Sequence, residues 1–165
     1  MFSRIHHKLV AALRILLIVL MAAMALDVLW QVVTRFILNS PSVWTEELAR
    51  FILIWIGSLG AAYGVAEGFH LEMDYFLKKA RGLRRRLLDR IILAILLLIG
   101  VGVFLIGGGS LVLLANELGQ TSPALGLPMS LIYLALPLSG LLIVYFALYR
   151  MKHPLAPQTT DEPIN

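Results

Sequence analysis

The 165-residue sequence contains no cysteine. That absence excludes disulfides, thiolate metal sites and cysteine nucleophiles together. Charge is scarce as well, at 15% of residues against 59% hydrophobic, and the mean hydropathy of +0.86 lies well above that of an ordinary soluble domain. No Ser-His-Asp set, phosphate loop or dinucleotide glycine fingerprint occurs, and Gly107-Gly108-Gly109 lies deep in an apolar run where no phosphate reaches. A membrane-embedded enzyme is thereby left without a nucleophile, base or metal set. The net charge of +4 does not point to nucleic acid, because the basic residues sit between hydrophobic runs, as membrane topology and anionic lipid require.

What the sequence does contain is apolar length. A bilayer core about 30 Å thick takes roughly 20 apolar residues per helix. Four runs qualify, at about 9–37, 43–66, 91–115 and 129–149, and predict an all-α integral membrane domain over 1–152. The first run also has traits of a cleavable signal peptide: Arg4, Lys8 and the small-residue pattern Ala23-Met24-Ala25. Hydrophobicity continuing from Val28 to Leu38 favours a span, with Arg14 and Arg35 roughly 32 Å apart and able to reach opposite interfaces. The third run carries no charge from Ile91 through Asn116 and reads as lipid-facing bulk; in the fourth, Pro137 predicts a kink. The proline-containing tail 153–165 is expected to be flexible.

Counting Lys and Arg by side sets the orientation. Arg4, Lys8, Arg14, Lys78, Lys79, Arg81, Arg84, Arg85, Arg86, Arg90, Arg150 and Lys152 share one side, against Arg35 and Arg50 on the other. Both termini and the central loop are therefore expected in the cytoplasm. That loop opens with Phe69-His70-Leu71-Glu72-Met73-Asp74-Tyr75 and continues into the basic run, predicting an amphipathic segment between the second and third spans whose cations (Lys78, Lys79, Arg81, Arg84, Arg85, Arg86 and Arg90) meet phospholipid headgroups. His70, Glu72 and Asp74 have a spacing that a metal could use, but a polar face meeting water produces the same pattern.

Asp27 is the costliest residue, since a carboxylate near a span centre costs about 2.5 to 3.5 kcal/mol on insertion scales. It reads either as a proton- or ion-coupling acid or as a polar anchor between helices. Gln31, Thr34 and Arg35 follow at helical spacing, and such a stripe favours the anchor. At the start of the second span, Ser40 or Ser42 can cap the helix, Trp44 suits the interface, and Glu46, Glu47 and Arg50 read as an ion-pair cluster in the first turns. Gly57, Gly60, Ala61 and Gly64 then form overlapping small-xxx-small patterns suited to close helix packing.

Trp44-Thr45-Glu46-Glu47-Leu48-Ala49-Arg50-Phe51, then Trp55, Gly60-Ala61-Ala62, Glu67-Gly68-Phe69-His70 and Asp74, resemble the DctQ-type small membrane subunit of tripartite ATP-independent periplasmic (TRAP) transporters. The stretch Gly119-Gln120-Thr121-Ser122-Pro123-Ala124-Leu125-Gly126-Leu127-Pro128, with Tyr133 and Pro137, fits the same family pattern, and the resemblance covers about Ala11 to Arg150. It implies a sodium-driven transporter of the bacterial inner membrane, in which a soluble periplasmic protein delivers an organic anion such as a dicarboxylate or sialic acid. Substrate and sodium sites would lie in a separate, large elevator-type subunit, with no cofactor in this chain, and the small subunit would extend the static scaffold.

On this basis Asp27, Gln31, Thr34, Arg35, Trp44, Glu46, Glu47, Arg50, Trp55, Gly57, Gly60, Ala61 and Gly64 are the expected contacts that hold the large subunit or organise the bundle. The external loops Leu38 to Val43 and Glu117 to Pro128, with Asn39, Ser40, Glu117 and Gln120, are expected to help dock the binding protein. The competing expectation is a self-sufficient, proton-coupled exporter, a homo-oligomer working through Asp27.

Overall fold

Leu, Ile, Val and Ala dominate the chain in runs of about 20 residues or more, and in a medium without water a run of that length satisfies its backbone by intrahelical bonding, so helix is the form expected of it. In the computed structural model, which describes residues 2–40, 42–68 and 83–152, four helices are long and apolar enough to cross a membrane: His6–Phe36, Val43–Glu67, Arg90–Glu117 and Met129–Met151. The fold is all-α, and the described residues include no strand beyond one isolated bridge, Thr121 to Pro128. Lys78, Lys79, Arg81, the stretch from Phe69 to Tyr75 and the tail 153–165 lie outside the described residues.

Helix α1 is Phe2–Phe36 and α2 is Val43–Glu67. The third span begins as α3, Leu83–Ile99, which contains Arg84, Arg85, Arg86 and the exposed Arg90. It widens into a π-helical segment over Gly100–Gly107, where the Gly108 amide reaches back five residues to the Val103 carbonyl, and resumes as α4, Gly108–Glu117. The fourth span is α5, Met129–Tyr133, and α6, Ala135–Lys152. The two helices part at Leu134, one turn ahead of Pro137, whose missing N–H leaves the Tyr133 carbonyl without its i+4 donor.

The backbone of α1 approaches only α2 among the described helices; α2 packs on α6, and α6 on α3 and the π segment. The spans thus stand in the order first, second, fourth, third. Only 6% of the most apolar stretch of the first span is buried within the chain, against 39% of the fourth, which places α1 at the rim. The covered face of α1 runs through Leu13, Leu17, Leu20, Met24, Asp27, Gln31 and Thr34, alternating steps of four and three as a helix-helix seam requires.

The apolar core lies toward the end of the bundle that carries the termini, where Leu13, Leu59, Val65, Leu93, Ile143 and Phe146 meet. The N-terminal turns of α1 join it through His6, whose ring stacks on Tyr149 at 3.9 Å, and Arg150 donates to the Val65 carbonyl at 3.4 Å near the end of α2. Toward the loop end, burial passes to small polar groups, Thr34, Thr45, Ser122 and Ser139.

The third span is not merely lipid-facing bulk. A Cβ at Gly140 would stand 2.8 Å from Phe104 Cβ and 3.0 Å from the Gly100 carbonyl oxygen; one at Gly108 would stand 2.6 Å from Leu136 Cβ. Glycine is what lets the third and fourth spans touch along their backbones. This contact was not read from the sequence, although the glycines of both spans were visible there.

Candidate functional site

Toward the loop end, α1 closes with Asn39 in the left-handed region (φ 49°), which an asparagine adopts more readily than most residues, and the Ser40 amide donates to the Thr34 carbonyl at 3.0 Å. Asn39 and Ser40 are both exposed. Ser42 occupies the N-cap of α2 without a side-chain bond to the helix backbone. Its hydroxyl instead lies 2.6 Å from that of the buried Thr45, which donates to the Ser42 carbonyl at 2.9 Å. The serine cap expected from the sequence is therefore present in position but not in its usual hydrogen bond.

The two adjacent glutamates part company here. Glu46 pairs with Arg50 one turn along on the exposed side of α2. Glu47, rotated by about 100°, turns to the loop between the third and fourth spans. Its carboxylate accepts the hydroxyl of Ser122, the Ala124 amide at 3.1 Å and the Leu125 amide at 3.2 Å. The single ion-pair cluster read from the sequence is thus corrected to one surface pair and one loop anchor.

The loop it holds is closed internally as well. The Ser122 amide donates to the Leu127 carbonyl and the Gly126 amide to the Ser122 carbonyl, both at 2.9 Å, and Met129 donates to Gln120 at 2.9 Å. Gly119 and Gly126 have φ of 57° and 64°, values that cost a side chain strain, so glycine makes the reversals possible. Glu117 and Gln120 are exposed on this loop's approach.

Of the residues read as a stripe, Asp27 and Thr34 are buried on the α1–α2 seam with Gln31 half-buried beside them, whereas Arg35 leaves that face and stands exposed, its guanidinium 5.8 Å from the Phe36 ring centre. Thr34 satisfies its hydroxyl on the Gln31 carbonyl at 3.0 Å, as Ser58 and Ser139 do on carbonyls of their own helices. Asp27 differs: both carboxyl oxygens are buried and have no hydrogen-bond partner in the described chain. No group of three or more His, Asp or Glu suited to a metal occurs among the described residues.

Trp55 packs, half-buried, against this chain's own core, and Trp44 is exposed. Gly57 and Ala61 are exposed, and a Cβ built on Gly57, Gly60 or Gly64 would meet nothing within 4 Å. Gly57, Gly60 and Gly64 therefore leave room for a close approach on one side of α2, whose packed side carries Ser58, Leu59, Ala62 and Val65.

Fold and site together define a small polytopic membrane protein that has an anchored loop between its third and fourth spans and a helix face left open by its own bundle. Residues 24–156 match the family described as tripartite ATP-independent periplasmic transporters, DctQ component. The chain belongs to that family. It is 35% identical to the C4-dicarboxylate TRAP transporter small permease protein DctQ of Rhodobacter capsulatus over 62% of this chain, a match that spans 45% of the relative's length. Over 79% of this chain and 74% of the relative it is 29% identical to the sialic acid TRAP transporter small permease protein SiaQ of Vibrio cholerae. It is also 34% identical, over 64% of its length, to 16% of the isethionate TRAP transporter permease protein DctMQ of Oleidesulfovibrio alaskensis, a far longer chain.

Proposed function

We infer that this chain is the non-catalytic small membrane subunit of a TRAP-type uptake system for an organic anion, and that it packs against a large permease subunit and extends its scaffold. The observation that carries this reading is the open small-residue face of α2, where a Cβ on Gly57, Gly60 or Gly64 would meet nothing within 4 Å although their neighbours Ser58, Leu59, Ala62 and Val65 are buried. Lipid has no need of such a face, whereas a second helix approaches closest there. The match to part of the much longer isethionate permease supports a partner that is itself a large permease.

The charge bias supports a reading with both termini in the cytoplasm of a bacterium, the chain in its inner membrane and the 118–128 loop in the periplasm. The basic residues around Arg90 then face phospholipid headgroups, and the periplasmic loops help dock a soluble substrate-binding protein. Sodium and substrate belong to the large subunit. Carboxylate and sulfonate substrates both occur in the names of the relatives, so an organic anion is the class supported.

Co-purification tests the reading: tagged chain extracted in mild detergent brings down a large polytopic permease, and reconstituted uptake requires both. The competing reading, a homo-oligomeric proton-coupled exporter, is favoured by the buried, unpartnered carboxyl of Asp27. It predicts transport by this chain alone, lost in Asp27→Asn.

A further inference from the structure

The loop between the third and fourth spans lies beyond their apolar stretches, yet one of its main anchors comes from a different span. Its donors, the Ser122 hydroxyl and the Ala124 and Leu125 amides, converge on the Glu47 carboxylate. Left to water these groups would be solvated without holding the backbone still, and ordering a loop costs roughly 1 to 2 kcal/mol per residue in entropy. Glu47 and the internal bonds of the loop meet that cost before any partner arrives. The outward side, with Gln120, Thr121, Pro123, Ala124, Gly126 and Leu127 exposed, carries no charge and is built of small and apolar groups. Lying beyond the span ends, the loop is within reach of a partner that arrives from the aqueous phase. A surface already fixed in its bound form loses less freedom on association.

We propose that Glu47 is a positioning residue that holds the 118–128 loop as a preformed contact surface for the soluble substrate-binding protein of the transporter, an inference that rests on the functional reading above. Glu47 itself touches neither substrate nor binding protein. Its action passes through the loop backbone.

The test uses the full complex of this chain with its large subunit in proteoliposomes, with uptake measured against the concentration of substrate-loaded binding protein. Glu47→Ala is expected to raise the half-saturating concentration about tenfold while maximal uptake stays near wild type. Amide exchange at Ala124 and Leu125 accelerates in parallel. Glu47→Gln, which keeps an acceptor oxygen, recovers part of both effects. Ser122→Ala removes one donor without touching α2 and moves both readouts in the same direction, so the test survives if Glu47→Ala fails to assemble. Faster exchange with an unchanged half-saturating concentration would overturn the docking role, and unchanged exchange would overturn the anchor. Uptake by the wild-type complex without any binding protein overturns the functional reading instead.

Discussion

Glu47, in the first turns of α2, accepts the hydroxyl of Ser122 from the loop that precedes α5, so a single carboxylate joins two spans that are distant in sequence. Its neighbour Glu46 does nothing of the kind and pairs with Arg50 at the surface. Two identical side chains at adjacent positions thus have different work because the helix turns them apart.

The contrast between them is measurable. Glu46→Gln removes an exposed i,i+4 pair and lowers stability by no more than about 0.5 kcal/mol. Glu47→Gln lowers the unfolding midpoint in detergent visibly more. Equal midpoints for the two variants would contradict the anchor.

Glycines that look alike in the sequence separate by packing. Gly140→Ala forces a methyl against the Gly100 carbonyl oxygen and Phe104, and is expected to cost about 1 to 3 kcal/mol in a micelle unfolding titration. Gly60→Ala meets nothing within 4 Å and leaves the titration nearly unchanged or slightly raised.

The open face of α2 makes the converse prediction. Gly60→Leu combined with Gly64→Leu leaves the isolated chain folded but fills the groove, and recovery of the large subunit in pull-downs falls at least about tenfold, the factor that follows from losing roughly 1.4 kcal/mol of contact. Undiminished recovery would show that the partner lies on another face.

Asp27 is buried without a hydrogen-bond partner, so an apolar replacement removes a cost. Asp27→Leu is expected to raise stability by about 1 to 3 kcal/mol and to leave uptake by the assembled complex intact. A lower unfolding midpoint would reveal a partner for the carboxyl; loss of uptake with assembly preserved would show that the carboxyl takes part in transport.

Much of this protein was legible in its residues. The spans follow from uninterrupted apolar length, the break near Leu134 from Pro137, and the family from the ordered motifs around Trp44 to Phe51 and Gly119 to Pro128. The pairing of Glu46 with Arg50 followed from their spacing. The glycine contact between the third and fourth spans was missed because Gly100, Gly108 and Gly140 sit among residues as apolar on the lipid side as on the packed side.

The sequence alone determined that the chain is a four-span membrane helix bundle of a known transporter family, because hydrophobic length and local motifs are properties of neighbouring residues. Only the tertiary structure decided that Glu47 anchors the distant loop, that Asp27 and Thr34 turn inward while Arg35 does not, and that Gly57, Gly60 and Gly64 stay open while Gly100, Gly108 and Gly140 close. Each of these depends on which helix stands beside which. In lipid, apolar patterning does not encode that order, since a leucine gains little by choosing a protein neighbour over an acyl chain.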